Sequence, residues 1–376
     1  MRKDASQSIY DLIRRGQART QREIEALTGL SRGTATQRLN DLLAAALVIE
    51  ADPIPSEGGR PARGFAVNPS YRNVIGVDIG ERLARAALFD LGGTLLDEEL
   101  FEVDLRRGPE QVLGQITEVA SRLRRSPKRS AEVAALGLSL PAPIDFGAGR
   151  VAMPSVMPGW EQLAIRDYLA AKLALPVALD NDVNLMCLAE HRRARPGCTD
   201  FVFIKAGTGI GCGIITGGQL LRGSVGIAGD IGHIQHSFQP RPLCRCGKEG
   251  CTEAHAAGWA IARDLRVLGY DCWDARDVMD LWYRGEPEAL AVLNRGSRVL
   301  GKVTADLVAM LNPEALVIGG QLARAGEAML AGVRELIYQR CLPLATERLT
   351  ISLAQGGEDL GVEGAAILAI EAALAA

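Results

Sequence analysis

The sequence predicts an α/β protein preceded by a small helical module that ends in a β-hairpin. Two patterns predict it. From Val74 onward, apolar strand-like runs alternate with segments of helical periodicity, the pattern of sheets covered by helices. Before that point, Ile9, Leu12 and Ile13, then Ile24 and Leu27, then Leu39, Leu42 and Leu43 recur at helical spacing. The 376 residues, 48% hydrophobic and 23% charged, are enough to core two or three lobes.

The leading module reads as three short helices. Thr20, Gln21, Arg22 and Glu23 form a capping-box signature for the second, Gly29 ends it, and Ser31 caps a third running from Arg32 to about Ala46. The tight turn Thr28 to Ser31 is what helix-turn-helix geometry requires. Strand-like Leu47–Glu50 and Gly64–Val67 flank the Pro- and Gly-rich Asp52–Arg63, which predicts a hairpin wing. Asn68 and Pro69 then mark a boundary, giving domains over 1–70 and 71–376.

Behind its cap Ser31, the third helix opens with Arg32, Thr34, Thr36, Gln37 and Arg38, and no acid lies between Leu30 and Asn40. Arg and Gln read base edges in the major groove, while Ser and Thr contact phosphates. Arg60 and Arg63 on the wing suit phosphate or minor-groove contact. Three helices alone would also suit a small interaction domain with solvated arginines, the lesser reading; the attached wing favours operator DNA further. One such module reads a half-site, so a homodimer or homotetramer is expected.

Charge agrees with this placement. Residues 1–70 hold ten Lys/Arg against eight Asp/Glu, whereas the rest hold 32 against 37, so any nucleic-acid footprint belongs at the N-terminus. No apolar run approaches the roughly 20 residues of a membrane helix, and the charged start is no signal peptide, so a cytoplasmic protein is expected. Eight cysteines are too dilute for a disulfide scaffold.

In the second domain the pattern predicts strands Val74–Ile79, Ala84–Phe89, Ala134–Leu140 and Val177–Leu179, with helices over 110–125 and 160–173. A helix over 183–195 follows, then strands Phe201–Ala206 and Gly211–Thr216. Helices over 255–267, 276–283 and 286–311 precede strand Ala315–Ile318, a further helix, strand Leu349–Leu353 and a terminal helix from about Val362.

Two glycine-bearing segments, Asp78 to Gly80 and Gly207 to Gly213, can cradle phosphate through backbone N–H groups or serve as tight connections; neither fits a Walker or dinucleotide fingerprint. The run Asp180, Asn181, Asp182, Val183, Asn184 concentrates amides and carboxylates at a strand's carboxyl end, where α/β folds place ligands. A helix N-cap accounts for one of these residues. Asp182 can act as a base toward a hydroxyl or accept hydrogen bonds from a polyol.

Cys244, Cys246 and Cys251, with His233 upstream, supply three thiolates and an imidazole, the donor set of a closed structural zinc site. Three unliganded core cysteines are the alternative, but a loop rich in Arg, Pro and Gly belongs at the surface. His236 reads as a surface residue, His255 as helix-facing, and the other five cysteines as ordinary thiols.

Together these motifs resemble the ROK family of repressors, open reading frames and sugar kinases, and the resemblance covers essentially the whole chain. It rests on Gly59, Arg60 and Pro61 before Asn68 and Pro69; Asn181, Asp182 and Asn184; Gly207 to Gly213; and Ala228 to His233 followed by the cysteines and Glu253. The resemblance implies an actin-like, hexokinase-like domain of two α/β lobes. Lobe one would hold about 71–182 plus the C-terminal helix 362–376, and lobe two about 183–361 with its zinc loop over 233–251. It implies that Asn181, Asp182, Asp230, His233 and Glu253 bind sugar hydroxyls, and that His233, Cys244, Cys246 and Cys251 bind zinc. His233 can serve both through its two ring nitrogens.

Two departures bear on activity. Family kinases follow the Asp-Ile-Gly motif with Gly-Thr, whereas this chain has Glu81 and Arg82, which would set a carboxylate beside a nucleotide phosphate. The usual Glu of the Glu-x-Gly-His motif is Asp230, one methylene shorter. The expectation is therefore a sugar-responsive repressor of carbohydrate-metabolism genes with structural zinc and no ATP. The alternative is an ATP-dependent sugar kinase with a DNA-binding appendage and Asp182 as catalytic base. A regulator that senses a protein partner is the third reading.

Overall fold

The computed structural model describes residues 5–14, 16–54, 61–152, 157, 159–161, 163–237 and 239–375. The chain falls into two compact units, Met1–Val74 with Leu88–Glu98 and Leu123–Ala134, and Ile75–Ala87 with Glu99–Arg122 and Ala135–Ala376.

The first unit opens with helices α1 (Ala5–Arg14), α2 (Gln21–Thr28) and α3 (Arg32–Ala44), then strands β1 (Val48–Ile54) and β2 (Ala62–Val67). The capping box at α2 forms as expected: the Thr20 hydroxyl accepts from the Glu23 amide, and the Glu23 carboxylate accepts from the Thr20 amide. The Arg19 amide also donates to Glu23, and these bonds, that from Arg19 foremost, hold its carboxyl below the usual range against the opposing effect of burial. Gly29 ends α2 at φ 67°, and Ser31 caps α3 by accepting from the Thr34 amide. The third helix stops at Ala44, short of the expected Ala46, because Ala46 turns left-handed at φ 56° and its carbonyl accepts from the Asn68 side chain.

Ile9, Ile13, Ile24, Ala35, Leu39 and Leu42 core this bundle, while Leu27 is exposed. The hairpin pairs Val48 with Val67 through Ala51 with Gly64, then shifts register at Ile54 and Ala62. Gly64 is required there, since a Cβ would lie 2.5 Å from the Asp52 carbonyl. Residues 55–60, Arg60 among them, lie outside the described residues.

The next strands are β3 (Asn73–Ile79), β4 (Leu83–Asp90) and β5 (Leu95–Glu102), followed by α4 (Pro109–Leu123), β6 (Val133–Leu140), and the short β7 (Ile144–Asp145) and β8 (Arg150–Val151). Helix α5 (Ile165–Leu173), β9 (Val177–Asn181) and α6 (Asp182–Ala194) complete a five-stranded sheet of order β5-β4-β3-β6-β9 with its flanking helices. The helix expected over 160–173 starts only at Ile165. Trp160 is instead fully buried, its indole N–H donating to the Leu105 carbonyl at 3.2 Å.

A second five-stranded sheet, of order β12-β11-β10-β13-β14, begins with β10 (Phe201–Ala206), β11 (Ile210–Thr216) and β12 (Gln219–Leu220). Then come α7 (Thr252–Ala256), α8 (Gly258–Val267), α9 (Ala275–Tyr283), α10 (Pro287–Leu311), β13 (Ala315–Gly319), α11 (Glu327–Arg340), α12 (Pro343–Thr346), β14 (Thr350–Leu353) and α13 (Leu360–Ala375). The single helix expected over 255–267 is two, because Ala257 is extended and the Gly258 amide donates to the Gly207 carbonyl at 2.8 Å. Strand β10 runs antiparallel to β11 and parallel to β13.

Helix α13 packs against α6 and β9, and its backbone lies so close to the first sheet that a Cβ on Gly137 would come within 1.9 Å of the Ala365 carbonyl. The carboxyl ends of β3, β9, β10 and β13 thereby converge on one cleft, the position that open parallel sheets reserve for ligands. Among the described residues no helix is long and apolar enough to cross a membrane.

Candidate functional site

The cleft encloses about 890 Å³ within the second unit and is lined by Asn181, Asp182, Asp230, His233 and Glu253, together with Asp78, Lys205 and the glycine turn 207–211. The five expected residues are thus brought together from three separate stretches of chain, 181–182, 230–233 and 253. Each is placed by local chemistry. Asn181 caps α6, its Oδ1 accepting from the Val183 amide at 3.0 Å, while its Nδ2 donates to the Ala142 carbonyl at 3.0 Å. Asp180 is buried and accepts from Asn184 Nδ2 at 2.9 Å and Arg222 Nε at 2.7 Å. The polar run therefore divides into a cap, an internal network and one acid, Asp182, that faces the cleft.

Asp182 is 8% exposed and forms an ion pair with Lys205, the single charged residue of β10. Burial works against the Lys205 ammonium, but the charges of Asp182 and Asp78 outweigh it and hold its pKa above the ordinary value. Asp78 lies at the end of β3, accepts from the Ser139 hydroxyl, and is pushed up by burial, with the Asp182 charge adding to the rise. The Lys205 ammonium thus pairs with Asp182, and its charge also reaches Asp78. Sequence reasoning missed Lys205, although a lysine inside an otherwise apolar strand directly before a glycine turn was the available signal.

Glu253, at the start of α7, accepts from the Ile210 amide at 3.2 Å through Oε2 and from Trp259 Nε1 at 3.1 Å through Oε1. A Cβ on Gly209 would stand 2.9 Å from that carboxylate, so the glycine there permits the turn to close over Glu253. Burial pushes the Asp230 carboxyl up, partly offset by His233, whose Nε2 lies 4.0 Å from Asp230 Oδ1.

The other ring nitrogen of His233 faces the cysteines. The ligand atoms of His233, Cys244, Cys246 and Cys251 all lie within 4.8 Å of one another. Cys246 Sγ is 3.7 Å from Cys251 Sγ, and Cys244 Sγ is 3.6 Å from His233 Nδ1. Tetrahedral zinc with about 2.3 Å bonds to sulfur and about 2.0–2.1 Å to nitrogen requires edges of about 3.8 and 3.6 Å, so the donor set fits. Burial pushes the Cys244 thiol up to about 12 and Cys251 upward as well, so a divalent cation is what would keep these sulfurs as thiolates. A metal there would hold the loop to the cleft wall, with no position left open for chemistry.

His236, expected at the surface, is instead 5% exposed. Its Nε2 bonds the Thr252 hydroxyl at 2.9 Å, and burial lowers its pKa to about 4. His255 is half-buried on α7, with its ring 6.5 Å from that of His236.

In the first unit, Ser31, Arg32, Thr34, Thr36 and Gln37 are exposed along the start of α3, and Arg38 is half-buried. The Thr36 hydroxyl is engaged within the unit, donating to the Arg32 carbonyl and accepting from Gln21 Nε2 at 2.8 Å, so it fastens α2 to α3. Arg63 is exposed, paired with Glu50 and stacked over Phe65.

Residues 74–372 match the model of the ROK family. A glucokinase of Thermotoga maritima is 31% identical over 78% of this chain and 96% of its own length. The DNA-binding transcriptional dual regulator NagC of Escherichia coli is 28% identical over 90% of this chain and 85% of its own. Among solved structures, a ROK family transcriptional regulator described as a homologue of the E. coli MLC protein superposes with a TM-score of 0.81, 24% identity, and coverage of 98% of this chain and 96% of its own.

Proposed function

Because this chain belongs to the ROK family, we propose that it is a sugar-responsive transcriptional regulator, with residues 1–70 as a winged helix-turn-helix DNA-binding domain and residues 71–376 as the sensor. The observation that carries this reading is the extent of the relatives. The glucokinase match spans 78% of the chain, no more than residues 71–376 can supply, whereas the NagC match spans 90% and so must reach into residues 1–70. A capped three-helix unit with an arginine-bearing hairpin has no task in a plain kinase.

In this reading Ser31, Arg32, Thr34, Gln37 and Arg38 approach the major groove, Thr36 steadies the reading helix, and Arg60 and Arg63 reach phosphates. Asn181, Asp182, Asp230, His233 and Glu253 hold a monosaccharide or sugar derivative, and His233 with the three cysteines holds structural zinc. The protein works as a homodimer or homotetramer on a palindromic operator. A sugar alters operator affinity only by binding the DNA-competent and incompetent arrangements unequally, a coupling of about 1–3 kcal/mol or roughly 5–150-fold.

The kinase reading is favoured by one observation, the 31% identity to a glucokinase. Lys205 on Asp182 and Glu81 at the cleft mouth oppose it. Fluorescence anisotropy with operator DNA at fixed salt separates the two sites. Asp182→Ala should abolish the sugar response and spare ligand-free DNA binding; Arg38→Ala should do the reverse. A normal sugar response in Asp182→Ala would move the effector out of this cleft.

A further inference from the structure

The turn between β3 and β4 reaches the loop that carries the cysteines. Glu81 Oε1 accepts from Arg245 Nη1 at 2.9 Å, and beside it Arg82 Nη1 lies 3.8 Å from Asp274 Oδ2 at the start of α9. Arg245 is not a loose surface cation. It sits between Cys244 and Cys246, and its guanidinium lies 4.9 Å over the ring of Trp259, the indole that donates to Glu253. The same cleft is lined by Gly80, Gly207, Gly209, Gly319 and Gly320, which present backbone without side chains. A guanidinium held in place at a cleft wall is ordinarily where an anionic ligand docks. Here a carboxylate of the chain itself has taken the guanidinium.

We propose that Glu81 is a built-in anion plug: its carboxylate fills the anion position that Arg245 offers at the cleft mouth, excludes phosphate-bearing ligands from it, and ties the β3–β4 turn to the cysteine loop. Glu81 is in this sense a specificity-determining residue. It acts by occupying Arg245, which goes further than repelling phosphate from a distance. The inference deepens the sensor reading, on which it rests, by naming the ligand class: a neutral polyol in place of a phosphorylated one.

The test needs neither sugar nor DNA, so its outcome is independent of the regulatory assignment. Inorganic pyrophosphate is titrated into the full chain by isothermal calorimetry, with zinc content measured before and after. Both partners are a little over one-third exposed, at 38% and 35%, so the titration is run at low ionic strength, about 50 mM, where screening is weak. Glu81→Ala should bind pyrophosphate at least tenfold more tightly than wild type, and Glu81→Gln should gain in the same direction. Adding Arg245→Met, which keeps an aliphatic stem over Trp259, should cancel the gain and thereby exclude pyrophosphate held by other basic surfaces. The swapped pair Glu81→Arg with Arg245→Glu should again exclude the probe. Wild-type binding equal to that of Glu81→Ala and Glu81→Gln, or a gain that survives removal of Arg245, would overturn the proposal.

Discussion

Replacing Lys205 by Met removes the ammonium that pairs with Asp182 and whose charge acts on Asp78, while keeping an unbranched side chain in β10. The Asp182 side chain is 8% exposed and that of Lys205 23%, so the pair is largely out of water. Stranding one member of a buried pair costs about 3–5 kcal/mol, and partial access of the lysine to the cleft reduces this to about 2–4. For a unit of this size, about 2–3 °C per kcal/mol lowers its unfolding temperature by about 5–10 °C, readable by differential scanning calorimetry at pH 7. Adding Asp182→Asn should recover at least half of the loss. The pH dependence carries its own sign. The folded pKa of Lys205 is raised, so its contribution is complete below the unfolded value of about 10.5 and fades as pH rises through the folded one. Asp78 is already pushed up by burial, and losing the ammonium pushes it further, so the variant should regain stability as pH falls toward 5. A Lys205→Met protein within about 1 kcal/mol of wild type at pH 7, with no such pH response, would refute this account of the Lys205 ammonium.

Further outcomes follow from other parts of the molecule. Purified protein should carry about one zinc per chain by elemental analysis, and Cys246→Ser should lower it, since three donors hold a structural metal less well than four. No sugar-dependent ATP turnover is expected; rates of roughly 1–100 per second in a coupled assay would restore the kinase reading. His236 has a folded pKa of about 4 against an ordinary 6.5, so its contribution is complete above pH 6.5 and lost as pH falls through 4; His236→Gln should flatten that acid limb by about 1–3 kcal/mol in denaturant titrations. Thr20→Ala should cost the first unit about 1 kcal/mol by removing the α2 cap, measured by thermal unfolding followed by circular dichroism.

Local chemistry was legible in the sequence and distant pairing was not. Thr20, Glu23, Gly29 and Ser31 announced their helix ends because a cap is a bond within four residues. The cysteine spacing likewise announced a cluster that the fold closes with His233. By contrast, β5 escaped notice because it carries Asp97, Glu98 and Glu99 on an edge strand, and only the structure supplies Lys128 and Ser126 to hold Asp97. The break between α7 and α8 depends on a carbonyl at Gly207, some fifty residues earlier in the chain. His236 looked like a surface residue because its flanks are polar, yet its partner Thr252 lies on the far side of the loop. Lys205 was overlooked for the same reason: its meaning comes from Asp182 and Asp78, on two other strand ends.

That placement bears on how the cleft would meet a ligand hydroxyl under the proposed reading. A general base must have an oxygen free to receive the proton at the moment of reaction. Asp182 Oδ2 is held by Lys205, and Oδ1 accepts from the Val183 amide at 2.7 Å. Each carboxylate oxygen keeps a second lone pair, so both can still accept a hydrogen bond from a ligand hydroxyl while these contacts persist. Taking a proton onto either oxygen would instead neutralise the carboxylate and weaken its ion pair with Lys205. Under the proposed regulator reading, the arrangement suits accepting hydrogen bonds from a polyol. Glu253 is in the same position, with one oxygen on Ile210 and the other on Trp259. Two acids already anchored to the protein frame make a rigid, acceptor-rich wall, and a ligand that supplies hydroxyl donors completes it without any bond being made or broken.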